Sequence, residues 1–220
     1  MRPYRLFTTN AFLTADWPVS NGSVLFEVPP LSSLLDRFST MKTYERSDVK
    51  CSDDEETGKA IVVFLVEPDV TLKNVIIGKN QSEGIHYALA IKRGSASSVS
   101  KVIGDGARSA DGMVVQHNGY GSVSIGGFYV QDFGKLYRAC GNCGANITRH
   151  VSVSNVYAVN PTASIVTVNK NCNNEAILQN VTVVTSKEKL GVCGEKPAKL
   201  GQGPLPLLCQ YAGGDVTIVA

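Results

Sequence analysis

Residues 122–130 read SVSIGGFYV, and residues 151–159 read VSVSNVYAV. Both stretches alternate apolar and polar residues, with Gly127 or Asn155 in the middle. Alternation rich in β-branched residues is typical of strands, and a Gly or Asn between two such runs supplies a turn. Each stretch therefore predicts two short strands joined by a bend.

The same pattern occurs in three further places: TLKNVIIG (71–78), SVSKVIGDG (98–106) and EAILQNVTVV (175–184). Taking Asn74, Gly104, Gly127, Asn155 and Asn180 as equivalent, the repeats are 30, 23, 28 and 25 residues apart. Repeats of this length predict a solenoid, in which each coil buries its apolar face against its neighbours. No window keeps a helical period, so the coils are expected to be strands.

We therefore predict an all-β protein, a single-stranded right-handed parallel β-helix that covers residues 60–220. A β-sandwich is the alternative, because short strands with turn signals also suit that fold. Asn155 and Asn180 are expected to form an inward asparagine ladder. Residues 1–59 are less regular and are expected to form an N-terminal cap, with a strand and a short helix in residues 18–38 and a solvated loop at residues 53–56.

Composition and charge exclude several classes of protein. The net charge is only +2, and no patch interleaves basic and aromatic residues, so nucleic acid is not an expected partner. The longest apolar run, Ala60–Val66, is far too short to span a membrane. We expect a monomer, since no face of the solenoid is conspicuously apolar.

Cysteine usage predicts an oxidising compartment. The six cysteines are Cys51, Cys140, Cys143, Cys172, Cys193 and Cys209, and four Asn-X-Ser/Thr sequons begin at Asn21, Asn80, Asn146 and Asn180. We expect a secreted, extracellular protein, although residues 1–17 do not form a convincing signal peptide. The CxxC at 140–143 is interpreted as a structural disulfide, because no second CxxC or βαβ pattern supports a zinc or redox site. An unpaired cysteine is compatible with the pattern.

Two longer strings indicate a family. TLKNVIIGKNQSEGIH (71–86) and SKVIGDGARSADGMVVQHNGYGSVSIGGFYVQDFGKLYRACGNC (100–143) closely resemble the polysaccharide lyases of family 3. These are small secreted pectate lyases of bacteria, fungi, oomycetes and plant-parasitic nematodes. The likeness runs from about residue 60 to the end, and more faintly from MKTYER (41–46). The family has a parallel β-helix fold, in agreement with the repeat.

The resemblance implies calcium-dependent β-elimination on polygalacturonate, the main chain of pectin. A base removes the C5 proton of a galacturonate whose carboxylate is neutralised, and the 4-linked sugar leaves. By the match to the family, Arg138 is the base and Lys135 neutralises the carboxylate. Arginine is an unusual base because its solution pKa is high, and neighbouring positive charges are the usual explanation.

The calcium site departs from the family pattern. Relatives carry, after the GIH motif, a further coil that ends in a Glu-Asp pair of calcium ligands. Here GIH (84–86) runs almost directly into ALAIK (88–92), so about one coil, on the order of 20 residues, is absent. Only Glu83 remains of the expected Ca²⁺ ligands, and one carboxylate makes a poor calcium site.

The catalytic cations depart from it as well. Relatives have a third lysine where this chain has Met113, in DGMVVQHNG (111–119). We therefore expect a pectate lyase whose activity is strongly reduced. The alternative is a non-catalytic β-helix that binds pectin or interacts with a host. His117 invites a catalytic role, but a hydrogen bond that stabilises a turn is the commoner one.

Overall fold

The computed structural model describes residues 23–26, 42–46, 64–66, 68–78, 89–91, 93–104, 106–141, 143, 147–187, 190–195 and 208–220. Within these ranges the chain forms one short 3-10 helix, Lys170–Cys172, and fourteen strands. The strands are Ser23–Phe26 (β1), Lys42–Arg46 (β2), Phe64–Val66 (β3), Thr71–Lys73 (β4), Val75–Ile77 (β5), Leu89–Ile91 (β6), Val99–Ile103 (β7), Gly106–His117 (β8), Gly121–Ala139 (β9), Arg149–Val168 (β10), Glu175–Val184 (β11), Gly191–Glu195 (β12), Cys209–Gln210 (β13) and Val216–Val219 (β14). No helix in these ranges could cross a bilayer.

All strand pairs in the described ranges are parallel, and successive coils pair in the order β1-β2-β5-β8-β9-β10-β11-β13. Parallel pairs between elements about 25 residues apart are what stacked coils produce. The predicted parallel β-helix is confirmed, and the sandwich alternative is wrong. The strands β1 and β2 of the N-terminal segment continue the same sheet, since β2 pairs with β5.

The bends lie where the repeat predicts them. All five repeat positions have positive φ angles, of 57° at Asn74, 70° at Gly104, 60° at Gly127, and 53° at both Asn155 and Asn180. Glycine and asparagine adopt this left-handed conformation at the least cost, which explains their recurrence at one position of each coil. The Asn/Gly pattern therefore marks the corner of the solenoid.

The asparagine ladder exists, but it is not inward. Asn180 Nδ2 donates to Asn155 Oδ1 at 2.7 Å, and both residues are exposed. The left-handed bend turns these side chains out of the coil, whereas the residue that follows each of them, Val156 or Val181, is buried. The interior is instead aliphatic: Val102, Ile125, Val153 and Leu178 stack in register, each at most 1% exposed.

A second column of left-handed residues follows the first by five positions in three coils. Its members are Ser109, Asp132 and Asn160, with φ angles of 56°, 51° and 52°. Asn160 Nδ2 donates to Asp132 Oδ1 at 3.0 Å, which links neighbouring coils at this corner. The corner opens into one face of the solenoid, on which Leu65, Ala90, Gln116, Arg138, Thr167 and Gly194 stack in register. We call it the site face.

A β-bulge begins the site face in each of the two strands that flank β9. In β8, Asp111 and Gly112 together oppose Gly134 of β9, because the register shifts between Ala110 and Met113. A Cβ at Gly134 would lie 2.1 Å from the Asp111 carbonyl oxygen and 2.2 Å from that of Gly112. β10 shifts register at the same level, between Pro161 and Ser164. Bulges of this kind are common beside active sites, where they redirect side chains.

Gly134→Ala is expected to lower the free energy of unfolding by about 3 kcal/mol or more, because backbone atoms of two strands must move to admit the methyl group. Gly213→Ala is the matched control, since a Cβ there meets nothing within 4 Å; its effect should stay within about 0.5 kcal/mol. Chemical denaturation measures both. Equal effects of the two substitutions would contradict this view of the bulge.

Candidate active site

Lys135 and Arg138, the two predicted catalytic cations, lie near the end of β9, and both are half-buried. The bulge at Gly134 comes directly before Lys135, so backbone packing fixes where these side chains leave the strand. Lys135 is in register with Met113 on one side and with Ser164 on the other. Arg138 is in register with Gln116 and Thr167. These six residues form the cluster around which the site is built.

Met113 lies against Arg138. Its side chain is 4% exposed, and Arg138 Nη1 donates to its Sδ atom at 3.7 Å. A thioether is a weak acceptor and carries no charge. The position at which the family pattern predicts a third lysine is therefore filled by an apolar side chain in direct contact with Arg138, the predicted base.

The neighbouring strand, β10, contributes two hydroxyl groups to the cluster. Ser164 Oγ and Thr167 Oγ1 are 2.8 Å apart and both residues are buried. A Cβ at Gly194, in the next coil, would lie 3.1 Å from each of these oxygen atoms. This side of the cluster is thus polar and uncharged, and it is tightly packed.

Gln116 was not predicted to belong to the site. It is 2% exposed and its Nε2 donates to Asn118 Oδ1. Among the described residues, no donor reaches Gln116 Oε1. A buried acceptor without a partner is rare and costs stability. Its place beside Arg138 becomes visible only when the register of β8 and β9 is known.

His117 has the structural role that was expected. It is fully buried, with Nδ1 2.9 Å from Tyr137 Oη and Nε2 3.3 Å from the Tyr120 carbonyl oxygen. In the tautomer that satisfies both contacts, Nε2–H donates to the carbonyl and the Tyr137 hydroxyl donates to Nδ1. Burial is the largest cause that lowers the pKa of His117 to about 4; the hydrogen bond to the Tyr120 carbonyl opposes this shift, and the charges of Arg149 and His150 add to it. The imidazole is therefore neutral at pH 7.

The low pKa of His117 makes the fold sensitive to acid. His117 takes up a proton near pH 6.5 in the unfolded chain but only near pH 4 in the folded chain. The contribution of neutral His117 to the free energy of unfolding is therefore complete above pH 6.5 and is lost as the pH falls toward 4. We expect His117 to account for about 2 kcal/mol of the stability lost between pH 7 and pH 5. Denaturation at both pH values should show that His117→Gln no longer loses this stability between pH 7 and pH 5. His150→Gln, at an exposed histidine, should lose as much as the parent. A parent-like pH dependence in His117→Gln would refute the assignment.

Arg149 holds the turn after His117, and nothing in the sequence distinguishes it from a surface arginine. It is 1% exposed, and its guanidinium donates to the carbonyl oxygens of Gly119 (2.7 Å), Asn118 (2.9 Å) and Ile147 (3.0 Å). The backbone N–H groups of Asn118 and Gly119 donate in turn to the Ile91 carbonyl oxygen, at 2.8 Å each. The turn is thereby fixed to the coils on both sides.

The described cysteines form two disulfides, Cys140–Cys143 and Cys193–Cys209. The first confirms the structural interpretation of the CxxC, and it lies just after Arg138; a Cβ at Gly141 would be 3.5 Å from Arg138 Nη2. Cys172 is a buried free thiol. Cys51 lies outside the described residues.

The residues that the structure describes do not fit a calcium ion. In these parts of the chain no three His, Cys, Asp or Glu side chains come close enough to hold a metal. Around Lys135 and Arg138 the partners in register are a thioether, an amide and two hydroxyls. Calcium prefers several carboxylate or carbonyl oxygens. Glu83, the predicted ligand, lies outside the described residues, as does His86.

Comparison with known proteins gives consistent matches. The family model described as pectate lyase matches residues 35–195. A protein of Emericella nidulans named probable pectate lyase D is 40% identical, with 88% of this chain and 81% of that protein covered. Another of the same name, from Neosartorya fischeri, is 36% identical, with 95% of each chain covered.

These alignments are longer than the part of this chain that they include. The first runs over 221 positions but takes in 88% of the 220 residues, and the second runs over 233 positions but takes in 95%. In each alignment, positions without a counterpart in this chain number on the order of 25 in total, which is close to the length of one coil.

Solved structures agree on the fold. The catalytic domain of pectate lyase PelI from Erwinia chrysanthemi has a TM-score of 0.56 at 19% identity, with 91% of this chain and 98% of that chain covered. Pectate lyase Pel3 from Pectobacterium carotovorum has a TM-score of 0.52 at 20% identity, with 91% and 69% covered. PelI has also been solved in complex with tetragalacturonic acid, with a TM-score of 0.52 at 19% identity over 91% and 68% of the two chains.

Proposed function

The chain belongs to the pectate lyase family, and we propose on that premise that it cleaves polygalacturonate by β-elimination, with Arg138 as the base and Lys135 at the substrate carboxylate. The observation that supports these roles most is the cluster on the site face. Both cations are half-buried near the end of one strand, and a bulge against neighbouring backbone fixes the start of that segment.

In the proposed step Arg138, present as the neutral guanidine, takes the C5 proton of a galacturonate. The C5–H electrons form the C4–C5 double bond, and the C4–O bond breaks with its electrons on the departing sugar oxygen, which is then protonated. Lys135 stabilises the negative charge that grows on the carboxylate while C5 loses its proton. Calcium, if bound, would reduce the same charge, but the described residues do not supply a site and no step is assigned to it.

The chain's own activity on polygalacturonate is proposed to be strongly reduced. Met113 leaves the cluster with two cations instead of three, and it occupies the space beside the base with a thioether. The unmatched positions in the alignments, on the order of 25 in total, are as many as the coil that is expected to carry the Glu-Asp pair would need. These features also favour the second candidate, a β-helix that binds pectin without cleaving it.

Secretion and a monomeric state are part of the proposal. Two disulfides and a free buried Cys172 among the described cysteines are compatible with an oxidising compartment. The exposed large apolar residues, Val99, Tyr120, Ile177, Tyr211, Ile218 and Val219, lie on several different strands and loops.

Mass spectrometry of the products tests the reaction class. Each β-elimination gives one fragment whose new non-reducing end is unsaturated, and which is one water lighter than the corresponding product of hydrolysis, and one fragment that ends in an ordinary reducing sugar. We expect unsaturated oligomers from polygalacturonate, formed slowly. Cleavage that gave saturated products alone would contradict a lyase mechanism, and binding of polygalacturonate with no product would favour the non-catalytic candidate.

A further inference from the structure

The cluster around Arg138 contains features that a negatively charged substrate does not explain. Met113 places an apolar, uncharged side chain in contact with the proposed base, 3.7 Å from its Nη1 atom. Gln116, in register with Arg138, is an uncharged amide with a buried oxygen for which no donor is described. Met113 disfavours a carboxylate because it supplies no positive charge.

The opposite side of the cluster is also uncharged. Ser164 and Thr167 are in register with Lys135 and Arg138, and their hydroxyl groups are hydrogen-bonded to each other. Taken together, the six residues comprise two cations and four neutral side chains. A galacturonate residue brings one negative charge to this cluster, whereas its methyl ester brings none and adds a methyl group.

We propose that the site prefers methyl-esterified galacturonate over the free acid, and that Met113 is the residue that sets this preference. The inference rests on the proposed lyase function and names the substrate class of the same site. Met113 is 4% exposed and contacts Arg138, so it acts by making the packing beside Arg138 apolar and uncharged, which suits an ester better than a carboxylate. A carboxylate in the same place must instead lose its hydration with one positive charge fewer than in relatives.

The chemistry of the reaction supports the same substrate. A proton next to an ester carbonyl is removed more easily than one next to a carboxylate, because the carboxylate already carries a negative charge. Arg138 takes the C5 proton, the C5–H electrons form the C4–C5 double bond, and the C4–O bond breaks with its electrons on the leaving oxygen, which takes up a proton. The ester is unchanged, so no other reactant is needed. Less positive charge is required around the reacting carbon.

The test compares initial rates of unsaturated-product formation on highly methyl-esterified pectin and on polygalacturonate, at equal uronide concentration, for the unmodified chain, Met113→Lys and Met113→Leu. We expect the ester-to-acid rate ratio to exceed one in the unmodified chain and to stay within about twofold in Met113→Leu. In Met113→Lys it should fall by roughly 100–1000-fold, because the added positive charge speeds the reaction of the acid and has no carboxylate to act on in the ester. A ratio that Met113→Lys leaves unchanged would overturn the inference and leave the lyase function standing.

Ligand affinities can be measured even if no variant forms detectable product. Titration calorimetry with trigalacturonate and with its trimethyl ester gives the same ratio without cleavage. We expect the unmodified chain and Met113→Leu to bind the ester more tightly than the acid, and Met113→Lys to bind the acid more tightly. This result would support the specificity even if no variant formed product. The absence of product would defeat the proposed reaction alone. Equal binding of the two ligands, or tighter binding of the acid by the unmodified chain, would defeat the inference.

Discussion

Replacing Met113 by lysine is expected to raise the rate of β-elimination on polygalacturonate by roughly 100–1000-fold, the range that separates sites with and without one well-placed stabilising group. The side chain at position 113 is in register with Lys135 and touches Arg138 at 3.7 Å. A lysine there adds positive charge beside the substrate carboxylate.

The matched control is Met113→Leu, which keeps an apolar side chain of similar size and should change the rate by less than about threefold. Absorbance of the unsaturated uronide gives the rates. The thermal midpoint of each variant shows whether burying an ammonium at a position that is 4% exposed has disturbed the fold. A well-folded Met113→Lys variant no faster than the leucine control would show that the third cation is not what limits this chain.

Removing the base from the improved variant is expected to reverse the gain. In the Met113→Lys background, Arg138→Ala should lower kcat by about 100–10,000-fold and change KM little, because a base acts mainly in the transition state. Arg138→Lys should also fail, since an ammonium on a flexible stem does not place a base where the guanidine lies.

Arg93→Ala serves as the control for the loss of an arginine, because Arg93 is exposed and lies in the loop before β7. We expect it to retain nearly full activity, with kcat within about twofold of the Met113→Lys parent. An Arg138→Ala variant that kept more than about a tenth of the parent kcat would remove Arg138 from the chemistry and would point to another base on the site face.

The corners of the fold were predictable because their cause is local. A left-handed bend restricts the residue type at one position, so Asn74, Gly104, Gly127, Asn155 and Asn180 could be aligned without any knowledge of contacts. The direction of the asparagine ladder was not predictable in the same way. Whether a side chain points in or out depends on how the two flanking strands continue, and alternation alone does not fix this at the bend.

In the candidate site, too, some features were predictable from the sequence and others were not. Lys135, Arg138 and Met113 were found through a sequence pattern. Three other features depend on which residues of different coils lie side by side, 22 to 30 positions apart in the sequence. They are the contact between Arg138 and Met113, the Gln116 oxygen without a described donor, and the hydrogen bonds from Arg149 to the turn. The bulge at Gly134 sets that register, and a single glycine in the sequence does not reveal which carbonyl oxygens approach it. Glu83 remains a prediction, outside the described residues.

The most direct test of the account is the rate at which unsaturated uronide forms from polygalacturonate, measured with calcium and with a chelator. The unmodified chain is compared with a version that carries Met113→Lys and a relative's additional coil inserted after the GIH motif. We expect the unmodified chain to form product slowly and independently of calcium. The version with Met113→Lys and the inserted coil should form product fast and only with calcium. Fast calcium-dependent cleavage by the unmodified chain would contradict it, because Met113 and the absent coil would then leave the reaction unimpaired.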